Sequence, residues 1–231
     1  IRERIDEPVH ALHEEVRPEV ARLGRLSDPP AHAARRDPGG ARDEDVVLAV
    51  ADHDRLLGPR VERRERRAHR ARLGLAGDSA GANLAAGVLR ALRHELPPLR
   101  VLALVYPALD DNFNTPSFIE NADGPFLTRS LTRHFWSLYT QGRGALGDIY
   151  LAPLQAEEFS LFPHTVILAA SHDPLRDEAA AYASKLQRAG IKVDHRCAAG
   201  MIHGFLRAVP LSWVASDAHD WLAAALRKAL A

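Results

Sequence analysis

Short apolar runs alternate with amphipathic stretches along the later part of the chain, from Arg72 to Ala231. Three runs, "RLGLAG", "LRVLALVYP" and "HTVILAAS", have the length and composition of strands buried on both faces, and "IKVDHRC" alternates like a fourth strand. Between and after them, apolar residues recur at helical spacing in residues 79–96, 174–190 and 216–230. Strands that alternate with helices predict an α/β fold with a mostly parallel sheet flanked by helices.

Helix boundaries are marked by familiar residue types. We expect Pro97 and Pro98 to stop the first helix and Gly190 to end the second. Ser216 or Asp217 is the expected N-cap of the last helix, since a short polar side chain there can bind a free backbone N–H group. Residues 108–150 interrupt the alternation with a polar loop, "DDNFNTPSFIENADGPF", followed by the helical pattern "LTRSLTRHFWSLYTQG".

The first 71 residues have a different character. Residues 10–71 mix charge, proline and glycine with little period, and the one good apolar run there, Val46 to Ala51, predicts either a strand or a short helix. Of the 27 arginines, 16 lie in residues 1–72, whereas the first aromatic residue of the chain is Tyr106. Its 231 residues suit one large domain, so we interpret 1–231 as a single α/β domain with an atypical first part.

Charge and composition exclude several partners. Lysines and arginines together number 30, as do aspartates and glutamates, so bulk charge indicates neither nucleic acid nor an acidic membrane surface. The basic run "VERRERRAHRARL" contains no aromatic residue, which favours a solvated helix face over a nucleic-acid patch. The single cysteine, Cys197, excludes an internal disulfide. No apolar run reaches about 18 residues and the charged N-terminus is unlike a signal peptide, so we expect a cytoplasmic protein without stable membrane insertion.

The stretch "GDSAG" places Ser79 between Gly77 and Gly81, with a predicted strand before it and a predicted helix after it. A G-x-S-x-G turn between strand and helix holds its serine in a strained conformation and exposes the hydroxyl at the carboxyl edge of the sheet. The N–H group of Ala80, at the start of the helix, would face an oxyanion. The alternative is that Ser79 is only the N-cap of that helix.

A nucleophilic serine needs a base and a group that orients the base. Asp173 directly follows the strand pattern "TVILAAS", and His203 lies thirty residues later, between the "IKVDHRC" strand and the last helix. Side chains that follow parallel strands meet at one edge of the sheet. His203 would accept the Ser79 proton and return it to the leaving alcohol, while Asp173 would hold the imidazole tautomer.

Other residues compete for both roles. His172 shares the loop of Asp173, His195 falls within a strand pattern, and His219 falls within the last helix. Asp177 is an alternative acid, but it lies a turn into the following helix. No Cys/His cluster has the spacing of a metal site, so we predict neither metal nor cofactor.

The segments "GDSAGANLA", "YPALD", "DGPFLT", "HDPLRDE" and "MIHGF" occur in this order, and together they resemble the α/β-hydrolase esterases and lipases of the hormone-sensitive-lipase-like family. The resemblance covers residues 72–231. It implies hydrolysis of carboxylic esters with short or medium acyl chains by a Ser79–Asp173–His203 triad. It also implies that residues 108–150 form a lid or pocket segment with aromatic side chains that either wall the acyl site or pack in the core: Phe113, Phe118, Phe126, Phe135 and Trp136.

One family motif is missing. Members carry an HGGG-type loop upstream of the serine, which supplies further oxyanion N–H groups, and no HGG occurs here. Gly39-Gly40 is the nearest candidate, and an ordinary turn is the simpler interpretation. We therefore interpret the atypical first part as frameshifted, mis-assigned or truncated.

The sequence leaves three functions open. The leading one is a serine esterase that works through an acyl-enzyme on a small-molecule ester. The others are a weak or inactive hydrolase-like protein that binds a small ligand, and another serine hydrolase such as an amidase or thioesterase. The sequence also leaves a homodimer open.

Overall fold

A parallel sheet of five strands forms the centre of the protein. The computed structural model describes residues 47–51, 73–145 and 147–231. In those residues the strands are β1 (Val47–Ala51), β2 (Leu73–Asp78), β3 (Val101–Val105), β4 (His164–His172) and β5 (Val193–Ile202). They lie side by side in chain order, and every neighbouring pair is parallel. The predicted α/β fold is confirmed, and the apolar run before Asp52 contributes a strand rather than a helix.

Five α-helices accompany this sheet in the described residues. They are α1 (Ala80–Leu92), α2 (Pro116–Glu120), α3 (Arg129–Tyr139), α4 (Arg176–Arg188) and α5 (Trp213–Leu230). Two short 3-10 helices, Pro153–Gln155 and Phe205–Ala208, complete the connections. Helices α1 and α4 each join two adjacent parallel strands, as the helix of a βαβ unit does.

The side chains of the central strands alternate between two cores. Leu102 and Leu104 of β3 point to the face that α1 and α4 cover, where Leu89 and Leu186 meet them. Val101 and Val105 of β3 point to the opposite face, which α5 covers. Because both faces of β3 are covered, all five of its residues are buried, and this explains the unbroken apolar run in the sequence.

Two helix boundaries differ from the predictions. Helix α1 ends at Leu92 rather than at Pro97, and the chain then turns through hydrogen bonds from the N–H groups of Glu95 and Leu96 to the carbonyl of Leu92. Helix α5 begins earlier than expected, because Ser212 is its N-cap and accepts a hydrogen bond from the N–H of Ala215. Ser216 and Asp217 therefore lie inside the helix. The sequence offered several polar residues that could cap this helix, and the path of the preceding loop selects one of them.

Residues 108–150 form one side of the protein, above the carboxyl edge of the sheet. Helix α3 forms where the sequence predicted a helix, and Thr128 caps it by accepting a hydrogen bond from the N–H of Leu131. Helix α2 is a single short helix after Thr115.

Several predictions concern residues outside the described ranges. These are the atypical first part apart from β1, the Gly39-Gly40 turn, and most of the basic run before Leu73. In the helices that the structure describes, none combines the length and the apolar character that a membrane span requires.

Candidate active site

Ser79 lies on the turn between β2 and α1 with φ 52° and ψ −118°. A positive φ is costly for a serine, and such a conformation persists only where the surroundings hold it. Its N–H donates to the carbonyl of Val105, and its own carbonyl accepts from the N–H of Ala82. Ser79 does occupy the N-cap position of α1, but its side chain makes no capping hydrogen bond. The hydroxyl is therefore directed to another partner.

The turn depends on a close approach between β2 and α1 at Gly77. A Cβ atom on Gly77 would lie 2.2 Å from the carbonyl oxygen of Gly81 and 2.7 Å from the nitrogen of Ala82. Both atoms belong to the backbone and cannot swing aside. Glycine at this position is therefore required by contact with the helix, which is the reason for the first glycine of the G-x-S-x-G pattern.

Asp173 and His203 follow the two strands at the far end of the sheet. Asp173 comes directly after β4 and is buried, with 1% of its surface exposed. His203 comes directly after β5 and is also buried, at 5%. The next residue, Gly204, has a φ of 73°, which lets the chain turn back over the sheet after the histidine.

A chain of two hydrogen bonds connects the three side chains. The Ser79 hydroxyl lies 2.8 Å from Nε2 of His203, and Nδ1 of His203 lies 2.7 Å from Oδ2 of Asp173. The other Asp173 oxygen accepts the N–H of Leu175 at 2.9 Å, which holds the carboxylate in place. Because an ionised carboxylate only accepts hydrogen bonds, Nδ1 carries the proton and Nε2 is free to accept the serine hydroxyl. The structure thus brings together the three residues that the sequence singled out.

The competing residues lie elsewhere. His172, His195 and His219 are exposed, and His219 contacts Asp220 at 3.4 Å. Asp177 accepts a hydrogen bond from the N–H of Ser117 at 2.8 Å and another from Arg176, so its carboxylate connects α4 to the 108–150 segment.

Above Ser79 and His203 opens a cavity of about 720 Å³ with mostly apolar walls. Its size is within the range of small-molecule sites. Three of the five aromatic residues named from the sequence line it: Phe126, Phe135 and Trp136. Ala80, the first residue of α1, also lines the cavity. At this position the helix provides no carbonyl one turn earlier to accept the Ala80 N–H.

Phe113 and Phe118 do not belong to the described lining of this cavity. Phe118 is completely buried against Leu127 and Leu175, and Phe113 packs edge-on against it with ring centroids 5.5 Å apart. Arg133 lies over the outer face of Phe113. These two rings support the wall from behind. The sequence left both placements open, because it shows that the segment is aromatic but not which way each ring turns.

Tyr106 is a lining residue that the sequence analysis missed. It directly follows β3, has φ 34°, and its ring packs edge-on against the imidazole of His203 at 4.8 Å. Its hydroxyl donates to Asp78 at 3.3 Å. Burial, reinforced by the Asp78 carboxylate, raises the pKa of Tyr106, so the phenol keeps its proton. Its place directly after a buried strand was the available signal, since that position faces the ligand edge of the sheet.

Helix α3 supplies more of the lining than was predicted. Leu131, Phe135 and Leu138 follow the spacing i, i+4, i+7, as do Thr132, Trp136 and Tyr139, and all six line the cavity. This periodicity was visible in the sequence and could have identified the face. Arg207, on the 3-10 helix after His203, also lines the cavity and carried no motif by which to recognise it.

Glu178 of α4 supports the loop after β3 from below. It is buried and accepts hydrogen bonds from the N–H groups of Leu109 and Asp110, at 2.6 and 3.1 Å. Burial raises the pKa of the Glu178 carboxyl well above its ordinary value of 4.5. Asn83 of α1 holds the same region by donating to the carbonyls of Ala108 and Leu151.

In the described ranges, no group of three or more His, Cys, Asp or Glu residues is arranged to hold a metal ion.

Comparison with known proteins assigns the chain to a family. A family model described as alpha/beta hydrolase fold matches residues 42–207. The chain belongs to the α/β-hydrolase fold family. The resemblance of this α/β-hydrolase chain to the hormone-sensitive-lipase-like esterases is thereby confirmed.

Three relatives illustrate the similarity. Carboxylesterase NlhH of Mycobacterium tuberculosis is 37% identical over 165 residues, which are 69% of this chain and 51% of NlhH. Arylacetamide deacetylase of Bos taurus is 30% identical over 195 residues, 58% of this chain and 49% of that protein. A solved esterase of Rhizomucor miehei is 37% identical with a TM-score of 0.63, covering 68% of this chain and 50% of that structure. The chain thus spans about half the length of the relatives it matches.

Proposed function

We propose that this α/β-hydrolase chain hydrolyses carboxylic esters through a covalent acyl-enzyme on Ser79. The observation that carries the proposal is the continuous hydrogen-bond chain from the Ser79 hydroxyl through His203 to Asp173, at 2.8 and 2.7 Å. A hydroxyl, a neutral imidazole and a buried carboxylate in this order are the groups that nucleophilic acyl transfer needs. The esterase names of the relatives agree with this chemistry.

Acylation follows from the positions of the three side chains. As the Ser79 oxygen attacks the ester carbonyl carbon, its proton passes to Nε2 of His203. The imidazole becomes a cation, and the Asp173 carboxylate beside Nδ1 stabilises that charge. The tetrahedral intermediate then collapses: its bond to the alcohol oxygen breaks, and His203 returns the proton to that oxygen. The acyl group stays on Ser79 as an ester.

Deacylation repeats the sequence with water. His203 removes a proton from a water molecule, the hydroxide attacks the acyl carbon, and the proton returns to Ser79 as the carboxylic acid leaves. In both halves the negative charge on the carbonyl oxygen would face the N–H of Ala80 and the N-terminus of α1. No loop with the HGGG motif supplies further donors in this sequence.

The size and lining of the cavity suit an ester with a short or medium acyl group. Apolar side chains of α3 and the loop before it, among them Leu131, Phe135 and Trp136, surround a space of about 720 Å³ above the Ser79 hydroxyl. Such walls bind hydrocarbon by burial, while the polar groups lie at the bottom, where the ester would react.

The direct experiment measures hydrolysis of p-nitrophenyl acetate and p-nitrophenyl butyrate. Ser79→Ala should abolish turnover, whereas Ser184→Ala, which removes an exposed hydroxyl on α4, should leave it unchanged. A fluorophosphonate probe should label wild type at Ser79 and should label Ser184→Ala equally. Turnover that survives in Ser79→Ala would refute the assignment.

One alternative is a protein that binds a small apolar ligand with little or no turnover, since the 231 residues contain no HGG sequence to supply further oxyanion donors. Removal of one oxyanion donor costs on the order of 10²–10³ in kcat, so loss of several could reduce an enzyme to this state. Retention of an ester analogue without turnover and without probe labelling would support the alternative. Because one relative is named a deacetylase of arylacetamides, the assay should include an acetanilide beside the matching phenyl acetate.

A further inference from the structure

Arg207 lies at the mouth of the cavity, four residues after His203. It belongs to the 3-10 helix Phe205–Ala208, it is exposed, and it lines the cavity. Its guanidinium carbon lies 5.6 Å from the ring centre of Phe126, over the face of the ring. Guanidinium groups stack favourably on aromatic faces, so Phe126 holds the cation at the rim instead of leaving it free in solvent.

Phe126 itself is held close to the reacting groups. Its φ is 72°, which is unusual for a bulky side chain, and its ring stacks on the imidazole of His203 with centroids 6.3 Å apart and planes inclined by 23°. The ring also packs against Gly204, where a Cβ atom would lie only 3.0 Å from it. Phe126 therefore connects the guanidinium of Arg207 to the imidazole that would move the proton.

The charge of Arg207 is available to a ligand. In the described lining of the cavity, Arg207 is the only lysine or arginine, and Asp78 is the only carboxylate. Asp78 accepts the hydroxyl of Tyr106. No ion pair joins Arg207 to a carboxylate within the described ranges. A cation that is held over a ring, lines an apolar cavity and lacks such a partner can bind an anionic group of the substrate.

The position of Arg207 also indicates which part of the substrate would carry the anion. His203 must return its proton to the oxygen of the leaving alcohol, so the alcohol part lies against the imidazole. The carbonyl oxygen would turn the other way, toward Ala80. Arg207 lies on the imidazole side, because Phe126 contacts both His203 and the Arg207 guanidinium.

We propose that Arg207 selects esters whose alcohol part carries a carboxylate, such as the acetyl esters of aromatic hydroxy acids. The aromatic ring of the alcohol would contact Phe126, and its carboxylate would bind the guanidinium. This inference rests on the proposed ester hydrolysis and adds the substrate class to it.

The test compares 4-acetoxybenzoate with 4-acetoxybenzamide, which have the same shape and differ in charge. The measured quantity is the ratio of their kcat/KM values. Arg207→Gln should lower this ratio about fivefold, and Arg207→Glu should lower it further. Arg188→Gln is the matched control, because Arg188 is exposed at the far end of α4, and its ratio should equal that of wild type. Added salt should lower the wild-type ratio without any mutation.

A second measurement separates this inference from ester hydrolysis itself. The products, 4-hydroxybenzoate and 4-hydroxybenzamide, can be titrated onto wild type and Arg207→Gln. Wild type should bind the carboxylate more tightly relative to the amide than Arg207→Gln does, whether or not the chain turns over esters. Equal ratios in wild type and Arg207→Gln, in both kinetics and binding, would overturn the role of Arg207. Absence of turnover together with an Arg207-dependent Kd ratio would refute the hydrolysis but keep the anion preference.

Discussion

The hydroxyl of Ser117 donates a hydrogen bond of 2.6 Å to the carbonyl of Pro174, the residue that follows Asp173. The N–H of Ser117 donates to Asp177, and the N–H of Asp177 returns a bond to the Ser117 hydroxyl. Ser117 is completely buried. The segment that walls the cavity is therefore fastened directly to the loop that carries the Asp173 carboxylate.

Removal of the Ser117 hydroxyl should lower both the free energy of unfolding and kcat. Ser117→Ala leaves the buried carbonyl of Pro174 without its partner, which should cost about 1–3 kcal/mol in the free energy of unfolding. It should also lower kcat for p-nitrophenyl butyrate several-fold, because the Asp173 loop gains freedom. Urea unfolding and steady-state kinetics measure the two effects. Ser184→Ala, which removes an exposed hydroxyl that donates to the carbonyl of Ala180, should change neither quantity appreciably.

The choice between the two neighbouring aspartates can be tested by removing one charge at a time. Asp173→Asn should lower kcat on the order of 10³–10⁴-fold, since an amide in place of the carboxylate neither favours the Nδ1-protonated imidazole nor stabilises its cation. Asp177→Asn should lower kcat by less than about tenfold, because Asp177 binds the backbone of Ser117 and lies away from His203. Steady-state hydrolysis of p-nitrophenyl butyrate measures kcat for both variants. Equal losses of kcat would contradict the assignment of Asp173, rather than Asp177, as the partner of His203.

Gly77 offers a test of the turn that exposes Ser79. Gly77→Ala would place a methyl group 2.2 Å from a backbone carbonyl, so we expect at least about 3 kcal/mol of destabilisation or a displaced α1 with little activity. Gly142→Ala is the matched control. Gly142 has a φ of 74°, and apart from its two chain neighbours no described residue has an atom within 4 Å of the added methyl group, so the backbone conformation resists the change, at about 1 kcal/mol. Urea unfolding should rank the two variants in this order.

The buried carboxyl of Glu178 predicts a pH dependence of stability. Its pKa is raised in the folded protein, so the folded chain retains a proton that the unfolded chain releases. The stability that this carboxyl contributes is complete below its ordinary pKa of 4.5 and is lost progressively as the pH rises toward the folded value.

Glu178→Gln, which has no proton to lose, should therefore gain stability relative to wild type as the pH increases above 4.5. The limit for one proton is about 1.4 kcal/mol per pH unit. Urea unfolding of both proteins at a series of pH values measures the difference. A difference that is constant with pH would show that folding does not raise the pKa of this carboxyl.

Local patterns in the sequence were sufficient for the elements around Ser79. The apolar run of β3 predicted a strand covered on both faces because each of its residues is buried, and the turn after β2 was recognisable because glycine is the only residue that fits at Gly77. The N-cap of α5 was predicted at Ser216 or Asp217, four or five residues after the observed Ser212. Ser212 and Ser216 are equally suitable as N-caps in isolation, and the preceding loop decides between them.

The amino-acid sequence by itself determined the alternation of strands and helices, the strained turn at Ser79, and the order in which a carboxylate and an imidazole follow along the chain. These properties depend on neighbours within a few residues, so composition and spacing contain them. Only the tertiary structure decided that Phe126 turns over His203 while Phe118 is buried behind the wall, and that Arg207 reaches the same cavity. Those outcomes depend on how helices rotate and loops pack against a sheet, and such contacts join residues that are far apart in the chain.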